Sequence, residues 1–112
     1  MNILIIGHSE EENRFCRACA PVYTSEQLAQ AAQAYLSETL GTPVQVTHVD
    51  AARPDVFQAY MDLIRQARRE GLRFPLVFAN GELILHGSAE PYAIARALRQ
   101  GEKETVAPSQ LT

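Results

Sequence analysis

Apolar and polar positions divide the first half of the chain into a strand, a connection and a helix. Residues 2–6 form a continuous apolar run ended by Gly7, which is typical of a strand buried on both faces. Residues 7–23 are polar and irregular, so we expect a long loop there. Thr24 and Gln27 then form a capping-box pattern that opens a helix. Its expected apolar face recurs at helical spacing and consists of Leu28, Ala31, Ala32, Tyr35, Leu36 and Leu40.

The pattern continues with a second strand and a second helix. Gly41 ends the first helix, and residues 44–49 alternate apolar and polar side chains, which predicts a strand closed by Asp50. Asp55 is the expected N-cap of the next helix, which Gly71 ends. The apolar face of this second helix is expected to contain Val56, Phe57, Tyr60, Met61, Ile64 and Ala67.

A hairpin and a third helix complete the predicted order. Asn80-Gly81 is a strong hairpin signal that joins the apolar runs 76–78 and 83–85, so strands three and four should be antiparallel. Ser88 is the expected N-cap of the third helix. The core residues of that helix are expected to be Ile94, Ala97 and Leu98. The order β-α-β-α-β-β-α, with strands one and two parallel, predicts an α/β three-layer fold around a mixed four-stranded sheet.

Length, composition and charge limit the number of domains, the partners and the location that can be expected of this chain. The 112 residues fit one domain, expected at residues 1–100 and followed by a polar tail at 101–112. The net charge of −3 provides no basic excess for nucleic acid or an anionic membrane. The first residues lack the positive region of a signal peptide, and no apolar run approaches membrane-spanning length. We therefore expect a cytoplasmic protein.

Two cysteines carry the candidate chemistry. In a reducing compartment Cys16 and Cys19 are not expected to form a permanent structural disulfide. Their C-x-x-C spacing lets one thiol attack a substrate disulfide and the other resolve the mixed disulfide, which makes Cys16 the expected nucleophile and Cys19 the resolving thiol. Arg14 and Arg17 would favour the Cys16 thiolate, and the acidic residues 10–12 would oppose it if they lie close.

Metal binding is the main alternative chemistry. A tetrahedral site needs four ligands, and the chain offers the two cysteines and three scattered histidines, His8, His48 and His86. An iron–sulfur cluster needs four cysteines and therefore two chains. We expect no cofactor in the single chain, and His48 should face solvent. One alternative is that both cysteines are buried and inert. Another is a non-catalytic binding module, in the form of a homodimer that holds metal or a cluster between its chains.

Pro75 is the third feature with functional meaning. A proline at the entry to a strand forfeits a ladder hydrogen bond, which suggests a special peptide geometry, cis, at Phe74-Pro75. The alternative is a trans proline that starts an edge strand.

These features together resemble the thioredoxin and glutaredoxin superfamily. The resemblance spans residues 2 to about 100 and depends on the C-x-x-C after the first strand, Asp50 closing the second, Phe74-Pro75 opening the third and Gly87 after the fourth. The C-x-x-C followed by Pro21 and Thr24-Ser25 is, more narrowly, similar to the bacterial YuzD-like disulfide oxidoreductases.

The resemblance implies a thioredoxin-like fold and a thiol–disulfide oxidoreductase that acts on protein or small-molecule disulfides. Cys16 and Cys19 match the redox pair, Pro75 matches the cis-proline of the superfamily, and the backbone at Phe74 would receive the substrate chain as an added strand. Phe74, Pro75 and Arg17 are the expected substrate-binding residues. The chain departs from the superfamily in its long loop before Cys16 and in lacking the usual glutathione contacts, so glutathione use is not predicted.

Overall fold

A four-stranded mixed sheet forms the centre of the protein, as expected from the sequence. The computed structural model describes residues 1–12 and 24–99, with side chains described for 1–10 and 24–99. The strands are β1 (Asn2–Gly7), β2 (Gln45–Asp50), β3 (Leu76–Ala79) and β4 (Glu82–His86). They lie in the order β2-β1-β3-β4, with β1 parallel to β2 and antiparallel to β3, and with β3 antiparallel to β4.

The central strand β1 is apolar because both of its faces are covered. Ile3, Ile5 and Ile6 are at most 1% exposed, which confirms the expectation of a buried strand. The loop expected directly after it is wrong at its start, because residues Ser9–Glu12 form a short helix, α1. Residues 13–23 of that predicted loop lie outside the described residues.

Helix α2 (Ser25–Leu40) begins at the predicted capping box. The Gln27 backbone N–H donates to Thr24 Oγ1 at 3.2 Å, and the Thr24 N–H donates to Gln27 Oε1 at 3.0 Å. Gly41, with a φ of +68°, ends the helix in the left-handed conformation that favours glycine.

The buried face of α2 differs from the predicted one. Ala31 and Tyr35 are exposed, so their assignment to the apolar face is wrong. The buried face also includes Ser25, a polar residue that an apolar pattern does not count; it is 3% exposed and hydrogen-bonded to His48 of β2. The buried residues of α2 are Ser25, Ala29, Ala32 and Leu36.

The single second helix expected from the sequence is two helices, α3 (Pro54–Ala59) and α4 (Met61–Arg69). Tyr60 separates them, with a φ of −117° and a ψ of 23°. Asp55 is not the N-cap, because Arg53 holds that position and Pro54 occupies the first helical position, where its fixed φ suits a helix start. Asp55 instead lies in the first turn.

The β3–β4 hairpin forms at the predicted turn. Asn80 has a φ of +49° and Gly81 a φ of +89°, as a two-residue turn with positive φ at both positions requires. The pairing of Phe78 with Leu83 and of Val77 with Leu85 leaves one extra residue on β4, which is a β-bulge.

The last described helix, α5, covers residues 91–99. Ser88 is therefore not its N-cap, although its hydroxyl accepts a hydrogen bond from the Glu90 N–H at 3.2 Å. Pro91 holds the first helical position, which places the helix start later than the serine indicates. The predicted polar tail at 101–112 lies outside the described residues.

Two apolar clusters lie on opposite faces of the sheet. One cluster includes Ile3, Ile5, Leu36, Val77 and Ile94. The other contains Ile6, Ala51, Ile64, Ala67, Leu76 and Phe78. The sheet is thus covered on both faces, which gives the three layers predicted from the sequence.

The free edge of β2 carries a side-chain contact from α2. The Gln45 and Ala51 N–H groups point towards β1, where they donate to the Met1 and Gly7 carbonyl oxygens. Because amide directions alternate along a strand, the Val46 N–H points outwards. It donates to Gln33 Oε1 at 3.2 Å.

None of the helices in the described part of the chain is both long and apolar enough to cross a membrane.

Candidate functional site

The sequence-predicted redox residues fall between two described segments. Cys16, Cys19 and Arg17 all lie within residues 13–23, outside the described residues. The same is true of Arg14. The structure places the chain on either side of them, at α1 and at the start of α2, together with Phe74 and Pro75.

Described residues on both sides of the cysteine segment are bound near the carboxyl end of β2. The Ser9 N–H of α1 donates to Asp50 Oδ1 at 3.0 Å, and Asp50 is the last residue of β2. Ser25, the first residue of α2, has its Oγ 2.7 Å from His48 Nε2. The described residues Ser9 and Ser25, which lie on the two sides of the cysteine segment in the sequence, are thus both bound near the carboxyl end of β2.

The start of β3 lies at the same edge. Leu76, the first residue of β3, pairs with Ile6 near the end of β1. Pro75, directly before it, is buried, and the Phe74–Pro75 peptide bond is cis. The Gly87 N–H, just after β4, donates to the Pro75 and Arg73 carbonyl oxygens at 2.9 Å each. The predicted substrate-binding residues Phe74 and Pro75 are thus held beside the carboxyl end of β1.

Phe74 contacts two basic side chains from different elements. The centroid of its half-buried ring lies 5.3 Å from that of His8, with the ring planes tilted by 52°. The Cζ atom of Arg68, on α4, lies 5.5 Å from the Phe74 ring centroid, within the range of a cation–π interaction. Sequence reasoning did not select Arg68, because its contact with Phe74 depends on how α4 packs.

Asp50 fixes the turn that follows β2 and the start of α1. Its Oδ1 accepts hydrogen bonds from the Ser9 and Ala52 N–H groups, each at 3.0 Å. Burial is the largest influence on the pKa of Asp50 and raises it, but the hydrogen bonds from Ser9 and Ala52 and the nearby His8 together outweigh it and hold the pKa below its ordinary value. The carboxylate is therefore ionised at neutral pH.

His48 does not simply face solvent, so that expectation is wrong. It is half-buried, and the hydroxyl that it contacts belongs to Ser25, which is only 3% exposed. The alternating pattern of β2 gave no signal of this contact, because Ser25 lies 23 positions away in the sequence.

Two further features of the described residues do not indicate another catalytic centre. An open groove of ≈ 420 Å³ runs between α2 and the outer edge of β2. It is lined by Glu26, Ala29, Gln30, Gln33, Val46 and His48. Phe74 and Pro75, the predicted site residues that the structure describes, do not line it. Among residues 1–10 and 24–99, no three or more His, Cys, Asp or Glu side chains are grouped so that they could hold a metal ion.

The comparisons with known proteins concern the fold. The chain matches no protein-family model and no curated protein. It is similar to the crystal structure of a protein of unknown function from Staphylococcus aureus, with a TM-score of 0.60 and 20% sequence identity over 88% of each chain. At this identity the likeness shows a shared fold alone.

Proposed function

We propose that this protein is a thiol–disulfide oxidoreductase of thioredoxin-like fold that uses Cys16 and Cys19. One observation carries the proposal: Ser9 and Ser25, described residues on the two sides of the cysteine segment, are both bound near the carboxyl end of β2, and Phe74–Pro75 directly precedes β3 beside the carboxyl end of the neighbouring strand β1. A C-x-x-C pair next to a buried proline at the entry to a strand is the arrangement that the superfamily resemblance implies.

The topology supports the fold part of the proposal. A mixed four-stranded sheet with a parallel β1–β2 pair, an antiparallel β3–β4 hairpin and helices on both faces agrees with the sheet that the resemblance implies. The narrower resemblance to the YuzD-like disulfide oxidoreductases remains part of the proposal on sequence grounds. A cytoplasmic location also belongs to it, since a reducing compartment keeps a dithiol available.

The reaction transfers two electrons from the protein dithiol to a substrate disulfide. The Cys16 thiolate attacks one substrate sulfur, so that a mixed disulfide forms and the other substrate sulfur leaves as a thiolate, which takes up a proton. The Cys19 thiolate then attacks the Cys16 sulfur and releases the second substrate thiol. The substrate is reduced, the protein holds a Cys16–Cys19 disulfide, and an external thiol reductant restores the dithiol.

Substrate recognition is assigned to the residues at the sheet edge. The backbone at Phe74, next to the buried Pro75, would receive a disulfide-bearing chain as an added strand, and Arg17 adds a positive charge beside Cys16 in the sequence. Arg14 and Arg17 would also favour the attacking thiolate.

Mild oxidation of the purified protein tests the pairing of the thiols. Because the chain has two cysteines, we expect oxidation in a glutathione redox buffer to give a monomer that has lost two hydrogens and resists alkylation. Mass spectrometry after alkylation across a series of buffer ratios measures both the pairing and the reduction potential. Two thiols that stay alkylatable while the buffer is fully oxidised, or protein that is purified with bound metal, would favour the non-catalytic binding module.

Single substitutions assign the two roles. We expect Cys16→Ser to abolish reduction of a disulfide substrate such as insulin, and Cys19→Ser to accumulate a mixed disulfide through Cys16, because the resolving step is missing. Non-reducing gels and peptide mapping identify the trapped cysteine. Mixed disulfides that form through Cys19 in the Cys16→Ser protein would reverse the assignment.

A further inference from the structure

Four arginines are concentrated within residues 65–73, on α4 and on the connection that follows it. Arg65, Arg68, Arg69 and Arg73 are all exposed, and we refer to these four residues as the arginine face. They provide four of the ten Lys and Arg residues of a chain whose net charge is −3. The local charge of this surface is therefore opposite to that of the whole molecule.

The packing of α4 directs the arginines to one side. Ile64 and Ala67 are buried against the sheet, and Arg65, Arg68 and Arg69 are spaced so that they are neighbours on the helix surface. Arg73 lies in the connection between α4 and Phe74.

Stability of the fold does not account for all four positive charges. Arg68 and Arg69 lie in the last turn of α4, where they interact favourably with the helix dipole, and Arg68 also packs on Phe74. Arg65 lies outside that turn, and its repulsion of Arg69, four residues on, opposes the favourable pairing with Asp62, three residues before it. Among the described residues the salt bridge is Arg53–Asp55, so the charges of Arg65, Arg69 and Arg73 are not neutralised there.

We propose that the arginine face docks an acidic segment of a protein partner. Guanidinium groups bind carboxylates in bidentate geometry, and arginine is enriched in protein interfaces. Asp62 and Glu70 are exposed in the same stretch of chain, and together with the negative net charge they disfavour a polyphosphate such as nucleic acid. A partner with mostly acidic side chains can match the arginines and still avoid these two carboxylates.

The arginine face adjoins the edge that carries the candidate site. Arg68 lies over the Phe74 ring, and Arg73 directly precedes Phe74 in the chain. A partner docked on the arginine face is therefore brought next to Phe74–Pro75. Its role as a disulfide substrate or as the reductant rests on the proposed function, whereas the docking itself does not.

Binding of a labelled acidic peptide tests the docking surface. The probe is a fluorescein-labelled peptide of alternating Glu and Ser, titrated with the full chain and followed by fluorescence anisotropy. We expect salt-sensitive binding that is about tenfold weaker in the Arg65→Gln/Arg69→Gln double variant. The matched control, Arg96→Gln/Arg99→Gln, removes the same charge from exposed positions of α5 and should change the affinity by less than about twofold.

Four results would overturn the proposal. Equal losses in the two double variants, or none in either, would mean that the arginine face is not a specific site. Tighter binding of an oligothymidylate of the same charge would identify a phosphate surface. A concentration-dependent dimer in sedimentation that the Arg65→Gln/Arg69→Gln variant abolishes would identify a second copy of the chain as the occupant.

Two further variants test the docking surface separately from the folding of α4 and from the proposed thiol chemistry. Arg73→Gln lies outside the helices and should weaken peptide binding even if the α4 double variant is poorly folded. The Cys16→Ser/Cys19→Ser protein should bind the peptide with unchanged affinity. Unchanged affinity would support the docking surface even if the thiols prove inactive. Lost binding in this variant would contradict a docking surface that is independent of the cysteines.

Discussion

Asp50 shows how a single side chain organises the edge of the sheet. Its carboxylate joins the end of β2 to the start of α1 through the Ser9 N–H and closes the turn after β2 through the Ala52 N–H. Both donors are backbone groups, so the contacts fix the direction of the chain at the start of α1 and just after β2. The chain that leaves α1 leads on to Cys16.

We expect Asp50→Asn to destabilise the protein by about 1 kcal/mol at pH 7, because the amide oxygen keeps the geometry but loses the charge-assisted part of the hydrogen bonds. The folded-state pKa of Asp50 lies below the ordinary value of 3.8, so its stabilising effect is present above about pH 4 and is lost as the pH falls through the lowered pKa. The difference between the two proteins should therefore shrink at low pH. Urea unfolding at several pH values measures it.

Asp55→Asn is the matched control for this substitution. Asp55 pairs with Arg53 at 3.4 Å, but both side chains are 68% exposed, so we expect a change of less than about 0.5 kcal/mol at either pH. An Asp50→Asn difference that stays constant from neutral to acidic pH would show that the loss does not come from the carboxylate charge.

At the scale of elements, the β3–β4 hairpin depends on the backbone conformation of Gly81. A Cβ atom at Gly81 would have no heavy atom within 4 Å, so a side chain there has room. Its φ of +89° is nevertheless a conformation that side-chain-bearing residues rarely adopt. The cost of a substitution is therefore one of backbone strain without a steric clash.

We expect Gly81→Val to lower the free energy of unfolding by about 1 to 3 kcal/mol, because a β-branched residue strains the turn. Glu82→Val places the same side chain one residue later, at an exposed position of β4 where extended backbone suits it, and should change stability by less than about 0.5 kcal/mol. Urea unfolding of both variants gives the comparison. Equal free energies of unfolding for Gly81→Val and Glu82→Val would contradict the backbone strain expected at position 81.

The elements that were predicted correctly are those whose signals are local. The Thr24–Gln27 capping box and the Asn80-Gly81 turn each depend on residues within three positions of each other, so the sequence contains the whole interaction. The starts of α3 and α5 were misplaced because the N-cap signals of Asp55 and Ser88 compete with Pro54 and Pro91, which hold the first helical positions. The break at Tyr60 was missed because the apolar pattern continues through it at helical spacing.

The candidate site was predictable in part for the same reason. The C-x-x-C spacing and Phe74-Pro75 are visible as short patterns, whereas the contacts of Ser25 with His48 and of Arg68 with Phe74 depend on how α2 and α4 pack on the sheet. A polar residue in an otherwise apolar helix face has no local signal of its distant partner. Such contacts become visible only with the folded structure.

At the scale of the whole molecule, two cores share one sheet. Ile64 of α4 and Ile94 of α5 are both 0% exposed, and they belong to clusters on opposite faces. Ile6 and Ile5, which are neighbours on β1, belong to different clusters. Disruption of the cluster on one face therefore destabilises β1, against which the cluster on the other face also packs.

We expect Ile64→Ala and Ile94→Ala each to cost about 2 to 5 kcal/mol, since each leaves a cavity in a closely packed core. Each variant should still unfold in a single transition, with coincident curves from far-ultraviolet circular dichroism and tyrosine fluorescence. Leu63→Ala, at a position that is 37% exposed, is the control, with an expected loss of less than about 1 kcal/mol. Separate transitions in either core variant would mean that the two faces unfold independently.

The hydrogen bond between Gln33 and the outward Val46 N–H has a consequence for how the protein behaves in concentrated solution. An edge strand with free amide groups is a template on which a second chain can extend the sheet and seed aggregates. Here the Gln33 side chain of α2 accepts a hydrogen bond from one of those amides, the Val46 N–H. A strand added along β2 would first have to displace that side chain. The fold thus protects this edge from ordered self-assembly with one uncharged side chain.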